Sequence, residues 1–338
     1  MRMKAKLAGL LAACLLLTGC AGAGAQSANR EPAVVPFTCI ANPKGNEKIY
    51  VILKSYHGSY WEDVIRGVCD AAAETDKAVY LGGIDNEVDI QAQKELMEEA
   101  LFKGADGILL APADSTALVE NCVRARGKDI PVVLLDSAVN TGDFDACFMT
   151  DNMAAGKMAA REMLRLLDEK YAHVQNLKIA IQLSSDVSQG MVNRVSGFLE
   201  WWSDNAPEGW TVAEDILLNG GDLDTAQVNT RQLLKDHPDL KGFFTCNNTS
   251  TMGVAKTLLE DGRNDIVMVG FDLADVTKEL VGKPGFSAET LLQHQYQMGK
   301  LGLETLDGLL RGEKPGQKYF DTGVTVAGAG ALIQGEAA

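Results

Sequence analysis

DIQAQKELMEEALFKGADGILLAPADSTALVENCVRARGKDIPVVLLDS (residues 89–137) carries the rhythm that decides the fold. Residues 89–103 are amphipathic and predict a helix. GILLAP (107–112) is a short apolar run and predicts a strand. Residues 115–127 predict a second helix, opened by Ser115 as a cap. IPVVLLDS (130–137) predicts the next strand. These strands are apolar throughout rather than alternating, which is the mark of strands covered on both faces.

The same alternation extends both ways. Upstream lie strand 48–55, helix 61–75 with Val64, Val68, Ala71 and Ala72 on one face, and strand 78–84. Downstream, after DACFMTD (145–151), come helix 153–169, strand 177–184, helix 189–204, strand 211–219, helix 224–236, strand 240–247, helix 250–261 and strand 265–272. A short helix (274–281), a strand (286–293), a helix (297–312) and an extended tail (318–328) close the chain. Two successive α/β units of similar size predict two lobes, each around a parallel sheet. No glycine-rich phosphate loop of either common pattern follows the first strand or occurs elsewhere, so nothing supports a nucleotide site.

The N-terminus reads as an address. Arg2, Lys4 and Lys6 precede an apolar run from Leu7 to Leu17, and LTGC ends on Cys20. The run is short for a membrane span. It resembles a bacterial lipoprotein signal, with Cys20 the lipidated first residue of the mature chain. Residues 21–46, rich in Ala, Gly and Pro, read as a tether with no core of its own. The formal charge of -15 becomes about -18 once Arg2, Lys4 and Lys6 are removed, and no run of Lys or Arg occurs in the body. Nucleic acid is therefore excluded as a partner. Cys39, Cys69, Cys122, Cys147 and Cys246 are odd in number and widely spaced, so they read as small buried hydrophobes rather than a disulfide framework.

Ligands of a doubly wound sheet meet the carboxyl ends of its strands. The residues found there are Tyr60 and Trp61 after the first strand, Asp136 and Ser137 after the fourth, and Arg194 in the helix after strand 177–184. Asn247, Phe271, Asp272 and Gln293 follow or end later strands. Short carboxylates and amides pair with adjacent hydroxyls, an arginine donates in a fork, and aromatic faces cover sugar C–H groups. The set fits a small neutral polyhydroxylated ligand. His57 and Asp114 are secondary candidates; Asp114 in PADS also suits a helix start.

Seven segments carry a family resemblance: 89–118, 130–137, TDNMAAGKMAAREM (150–163), NRVSGF (193–198), FFTCNNTSTMGVAKTL (243–258), VMVGFD (267–272) and ETLLQHQYQMGKLGLETL (289–306). Taken in order, they resemble the type I periplasmic sugar-binding proteins, the ribose/galactose-like receptors of ABC importers. The resemblance implies two Rossmann-like lobes joined by a three-crossover hinge. These are 47–150 plus 294–322, and 151–293 plus 323–333. A sugar bound between them would be buried by closure. It also implies ligand roles for the strand-end residues just named. Ribose-type receptors tend to have Asn-Pro before the paired aromatics and arginine after the strand-four aspartate. Gly58-Ser59 and Ser137 stand there instead, which predicts a roomier, less ionic pocket, with His57 able to enter it.

The function expected is capture of a sugar or polyol outside the cytoplasm, by a lipid-anchored monomer, and delivery to an ABC permease. The alternative output is presentation of a ligand, such as a furanosyl signalling molecule, to a sensor kinase or chemoreceptor. An enzyme is not expected. There is no nucleophile elbow or zinc-protease motif, and His57, His173, His237 and His294 lack metal-ligand spacing. No cofactor or metal is implied.

Overall fold

The computed structural model describes residues 34–330. Cys20 and the signal lie outside the described residues. Two sheets organise the body. The first begins with β1 (Val34–Ala41), β2 (Lys48–Leu53), α1 (Ser59–Glu74), β3 (Ala78–Ile84), α2 (Ile90–Phe102) and β4 (Gly107–Leu110). It continues with α3 (Val119–Arg126), β5 (Val132–Leu135) and β6 (Ala146–Met149), and is completed by β12 (Tyr319–Asp321). The spatial order is β1-β3-β2-β4-β5-β6-β12, parallel except for β1.

The second sheet is built from β7 (Leu177–Leu183), β8 (Trp210–Leu218), β9 (Leu240–Thr245), β10 (Val267–Phe271), β11 (Ser287–Gln293) and β13 (Val324–Ala327). Its order is β13-β11-β10-β9-β7-β8, parallel except for β13. Its helices are α4 (Asn152–Tyr171), α5 (Gln189–Asn205), α6 (Leu223–Asp236), α7 (Asn248–Glu260) and α8 (Asp275–Gly282), while α9 (Gln295–Leu310) packs on the first sheet. The parallel strands are buried on both faces, as their unbroken apolar runs predict. Helices show the complementary pattern: α1 buries Tyr60, Trp61, Val64, Gly67, Val68, Ala71 and Ala72, the spacing of one helical face.

The chain passes between the sheets three times: between Met149 and Asn152, between Gln293 and Gln295, and between Asp321 and Val324. These crossings are bonded to one another. Thr322 N donates to Met149 O (3.0 Å), Asp151 N to Asp321 Oδ1 (2.9 Å), and His294 Nδ1 lies 2.7 Å from Thr322 O.

Two expectations need correction. Residues 34–41, read as tether, form β1, an antiparallel edge strand on β3 that runs back from Ile84 to Val79. Pro36 suggested a linker, but an edge strand tolerates proline. Helix α3 starts at Val119, not Ser115; Asp114 Oδ1 instead accepts from Thr116 N and Ala117 N and closes a turn. Of the five cysteines, none is disulfide-bonded. Cys122, Cys147 and Cys246 are buried as expected, whereas Cys69 is exposed on α1.

Candidate functional site

The loops at the carboxyl ends of the two sheets meet. Ser137 Oγ lies 3.1 Å from Ser188 Oγ, Gln189 N donates to Ser115 Oγ (3.0 Å), and Ser184 Oγ donates to Glu87 (3.3 Å). Behind these contacts are two polar clusters, one from each sheet.

In the first sheet the centre is Asp136, directly after β5. Its backbone has φ +66°, a left-handed conformation that aspartate tolerates better than most residues, and its N–H donates to Phe148 O on β6. Tyr60 Oη donates to Oδ1 (2.5 Å). Lys54 Nζ, buried at the end of β2, reaches Oδ2 at 2.6 Å, and Ser137 Oγ donates to the same oxygen. Burial raises the Asp136 pKa, but the Lys54 charge and the hydrogen bonds from Lys54 and Tyr60 outweigh it and hold the carboxyl below its ordinary value. Trp61 packs edge-on against Tyr60, and its Nε1 donates to Glu87 (3.3 Å).

In the second sheet Asp272 follows β10 with φ +67°, and its N–H donates to Leu291 O on β11. The backbone arrangement repeats that of Asp136. The side chain differs. Gln293 Nε2 donates to Oδ1 (3.0 Å), and among the described residues no donor reaches Oδ2. Burial lifts the carboxyl to a pKa of about 7 against the opposing pull of Arg194 and Gln293.

Arg194 is itself buried and held by four hydrogen bonds. Its Nε and Nη2 donate to Asn152 Oδ1, Nη1 to Cys246 O, and Nη2 also to Gln293 Oε1 (2.9 Å). The guanidinium stacks on Phe271 at 3.7 Å from the ring centre. Close packing of α4 on α5 fixes this place: a Cβ on Gly156 would come within 2.1 Å of Arg194 O. Gln293 also accepts from Thr150 Oγ1 (3.1 Å), so Arg194, Asp272 and two of the crossings share one network.

The structure thus brings together Tyr60, Trp61, Asp136, Ser137, Arg194, Phe271, Asp272 and Gln293. The charges of Asp136, Arg194 and Asp272 act on one another across the two clusters. Asn247 stands at the start of α7, but its Oδ1 is taken by Ser250 Oγ (2.6 Å). The neighbouring Asn248 has a buried Oδ1 with no partner. Its Nδ2 would lie 3.1 Å from a Cβ at position 58, and the φ of +88° there favours Gly58. His57 is not in the cluster: its side chain is 71% exposed and paired with Asp85. Asp114 is occupied by its turn. Lys54, from the end of β2, supplies Asp136 with a cation that Ser137 does not. Lys54, Glu87, Asn152 and Asn248 were missed as site residues. A lysine inside the apolar run of 48–55 was the one sequence signal available for Lys54.

The model of the periplasmic binding protein domain matches residues 49–314. The chain belongs to the periplasmic binding protein family. This binding protein is 26% identical over 286 residues to the ribose import binding protein of Salmonella typhimurium, covering 83% of this chain and 91% of that protein. It is 26% identical over 269 residues to the D-allose-binding periplasmic protein of Escherichia coli, covering 76% and 82%. Among solved structures it is similar to an ABC transporter solute-binding protein from Agrobacterium vitis with bound D-fucose. That match has a TM-score of 0.79 and 30% identity, covering 86% of this chain and 98% of that one. Membership makes this an extracytoplasmic binding protein of the type I fold and not an enzyme.

Proposed function

We propose that this binding protein captures a neutral sugar or polyol between its two sheets and delivers it to an ABC permease. The observation that carries the reading is the convergence of Asp136 and Asp272, from equivalent strand ends, on one buried cluster. Lys54 and Arg194 offset the carboxylates of Asp136 and Glu87, and Asp272 holds a proton up to about pH 7. A site so balanced favours an uncharged ligand over an ion. Protonated Asp272 donates from Oδ2 to a ligand oxygen, Asn248 Oδ1 accepts from a ligand hydroxyl, Tyr60 and Trp61 cover the ring, and Arg194 donates. Lobes 34–150 plus 294–322 and 151–293 plus 323–330 close about the three crossings. Ligand contacts to both sides favour the closed state in proportion to their differential affinity. The receptor acts as a monomer. Its signal is removed and Cys20 is lipidated, which holds it beside the permease outside the cytoplasm and raises its effective concentration there. The matching strand-end placement of Asp136 and Asp272 supports this reading, as do relatives named for ribose and allose and a structural neighbour holding D-fucose.

A thermal-shift screen of the mature protein against monosaccharides, polyols, nucleosides and amino acids tests it. A sugar or polyol should raise the melting temperature with one site per chain. Stabilisation confined to amino acids or nucleosides would overturn the assignment.

A further inference from the structure

β1 reverses the direction in which the chain enters the fold. Val34 pairs with Ile84 and Ala41 with Val79, so β1 starts at the carboxyl end of the first sheet, where Asp136 stands, and ends at the opposite end. A turn through Asn42 and Gly45 then leads into Lys48. Without β1 the chain would enter at Lys48, beside Asp106 and Lys103, at the end remote from the site. Eight residues of strand move the entry point by about 26 Å. The strand is seated firmly: Phe37 meets Tyr50 edge-on at 4.8 Å, in space that a Cβ on Gly82 would fill at 2.7 Å from the Phe37 ring. Asn42 Nδ2 also bonds Thr75 O beyond its end.

We infer that β1 is an orienting strap. It brings the lipid tether out at the ligand-binding end of the first sheet, so that this end faces the membrane surface. The inference rests on the reading of Cys20 as lipidated. Only the fourteen residue steps from Cys20 to Val34 separate the anchor from this exit, a reach of at most ~50 Å. The six residues 42–47 between β1 and β2 are too few for a parallel crossover, so β1 is held antiparallel to β3 and its start falls at the site end of the sheet.

The test uses the full lipidated chain in vesicles of phosphatidylethanolamine and phosphatidylglycerol with acceptor-labelled headgroups. A donor dye is attached through a bio-orthogonal amino acid replacing Val88 or Phe102. These side chains are 44% and 91% exposed; Val88 lies in the turn just before α2 and Phe102 at its last residue, which separates them by roughly 20 Å. Energy transfer to the lipid should be greater from position 88 than from 102. Inserting a long Gly/Ser segment between residues 33 and 34 leaves β1 intact and should abolish the difference. Deleting residues 34–45 moves the exit and should reverse it. Equal transfer from the two positions in the parent chain, or greater transfer from 102, overturns the strap. So does a difference that survives the insertion, because it would arise from the protein surface rather than the tether. Absence of transfer from both positions, with an intact mass lacking the lipid, overturns the reading of Cys20 and the strap with it.

Discussion

Asp136 and Asp272 occupy the same station in two sheets and have opposite proton affinities. Each follows a buried parallel strand, each has φ near +66°, and each donates its N–H to the next strand. Asp136 has Lys54 at 2.6 Å and is held ionised. Asp272 has an amide, Gln293, and an arginine already committed to Asn152, Cys246 and Gln293, so burial dominates. Backbone position selects the residue type; the nearest uncommitted cation decides its charge.

The comparison breaks most visibly at Lys54. Lys54→Met leaves Asp136 buried and unpaired and should cost about 3–5 kcal/mol in urea unfolding at neutral pH. Adding Asp136→Asn should recover much of that loss; strict additivity of the two effects would mean that the pair is not coupled.

Next is the pH dependence of the ligand-free protein. An unfolded aspartate ionises near 3.8 and Asp272 near 7, so between these values the native state holds the extra proton and stability falls as pH rises. Asp136 acts in the opposite sense: its contribution is present above its unfolded pKa and is lost as pH falls through the lower native one. Relative to wild type, Asp272→Asn should gain stability from pH 4 to pH 7, by at most about 4 kcal/mol, and gain nothing more above that. Parallel stability curves for the two proteins would contradict the assignment.

The smallest effect belongs to His57. His57→Ala removes only an exposed pair with Asp85 and should change stability by less than about 0.5 kcal/mol and leave sugar affinity unaltered. A clear loss of affinity would place that loop over the ligand.

Strand-end reasoning located Asp136, Arg194, Asp272 and Gln293 because parallel sheets put their functional residues where the apolar runs stop. It missed Lys54 because a lysine at a strand end reveals nothing of its partner about eighty residues away, just after β5. The same limit hid β1, whose pairing with β3 is long-range and whose Val-Val-Pro-Phe start reads locally as linker. Ser137 shows the converse: the cation beside Asp136 comes from Lys54 at the end of β2 and not from the residue that follows the aspartate, which no single motif records. At 247–248, adjacent asparagines are indistinguishable in sequence; the Ser250 bond to Asn247 and the unpartnered Oδ1 of Asn248 separate them.

Calorimetric titration of the sugar or polyol found in the screen, on wild type and on Asp136→Ala, Arg194→Ala and Asp272→Ala, tests the central claim most directly. One site per chain is expected, with each truncation costing about 1–3 kcal/mol, roughly ten- to more than a hundredfold in affinity, in proteins whose folding circular dichroism confirms. Wild-type affinity in all three variants would place the ligand somewhere other than between these aspartates.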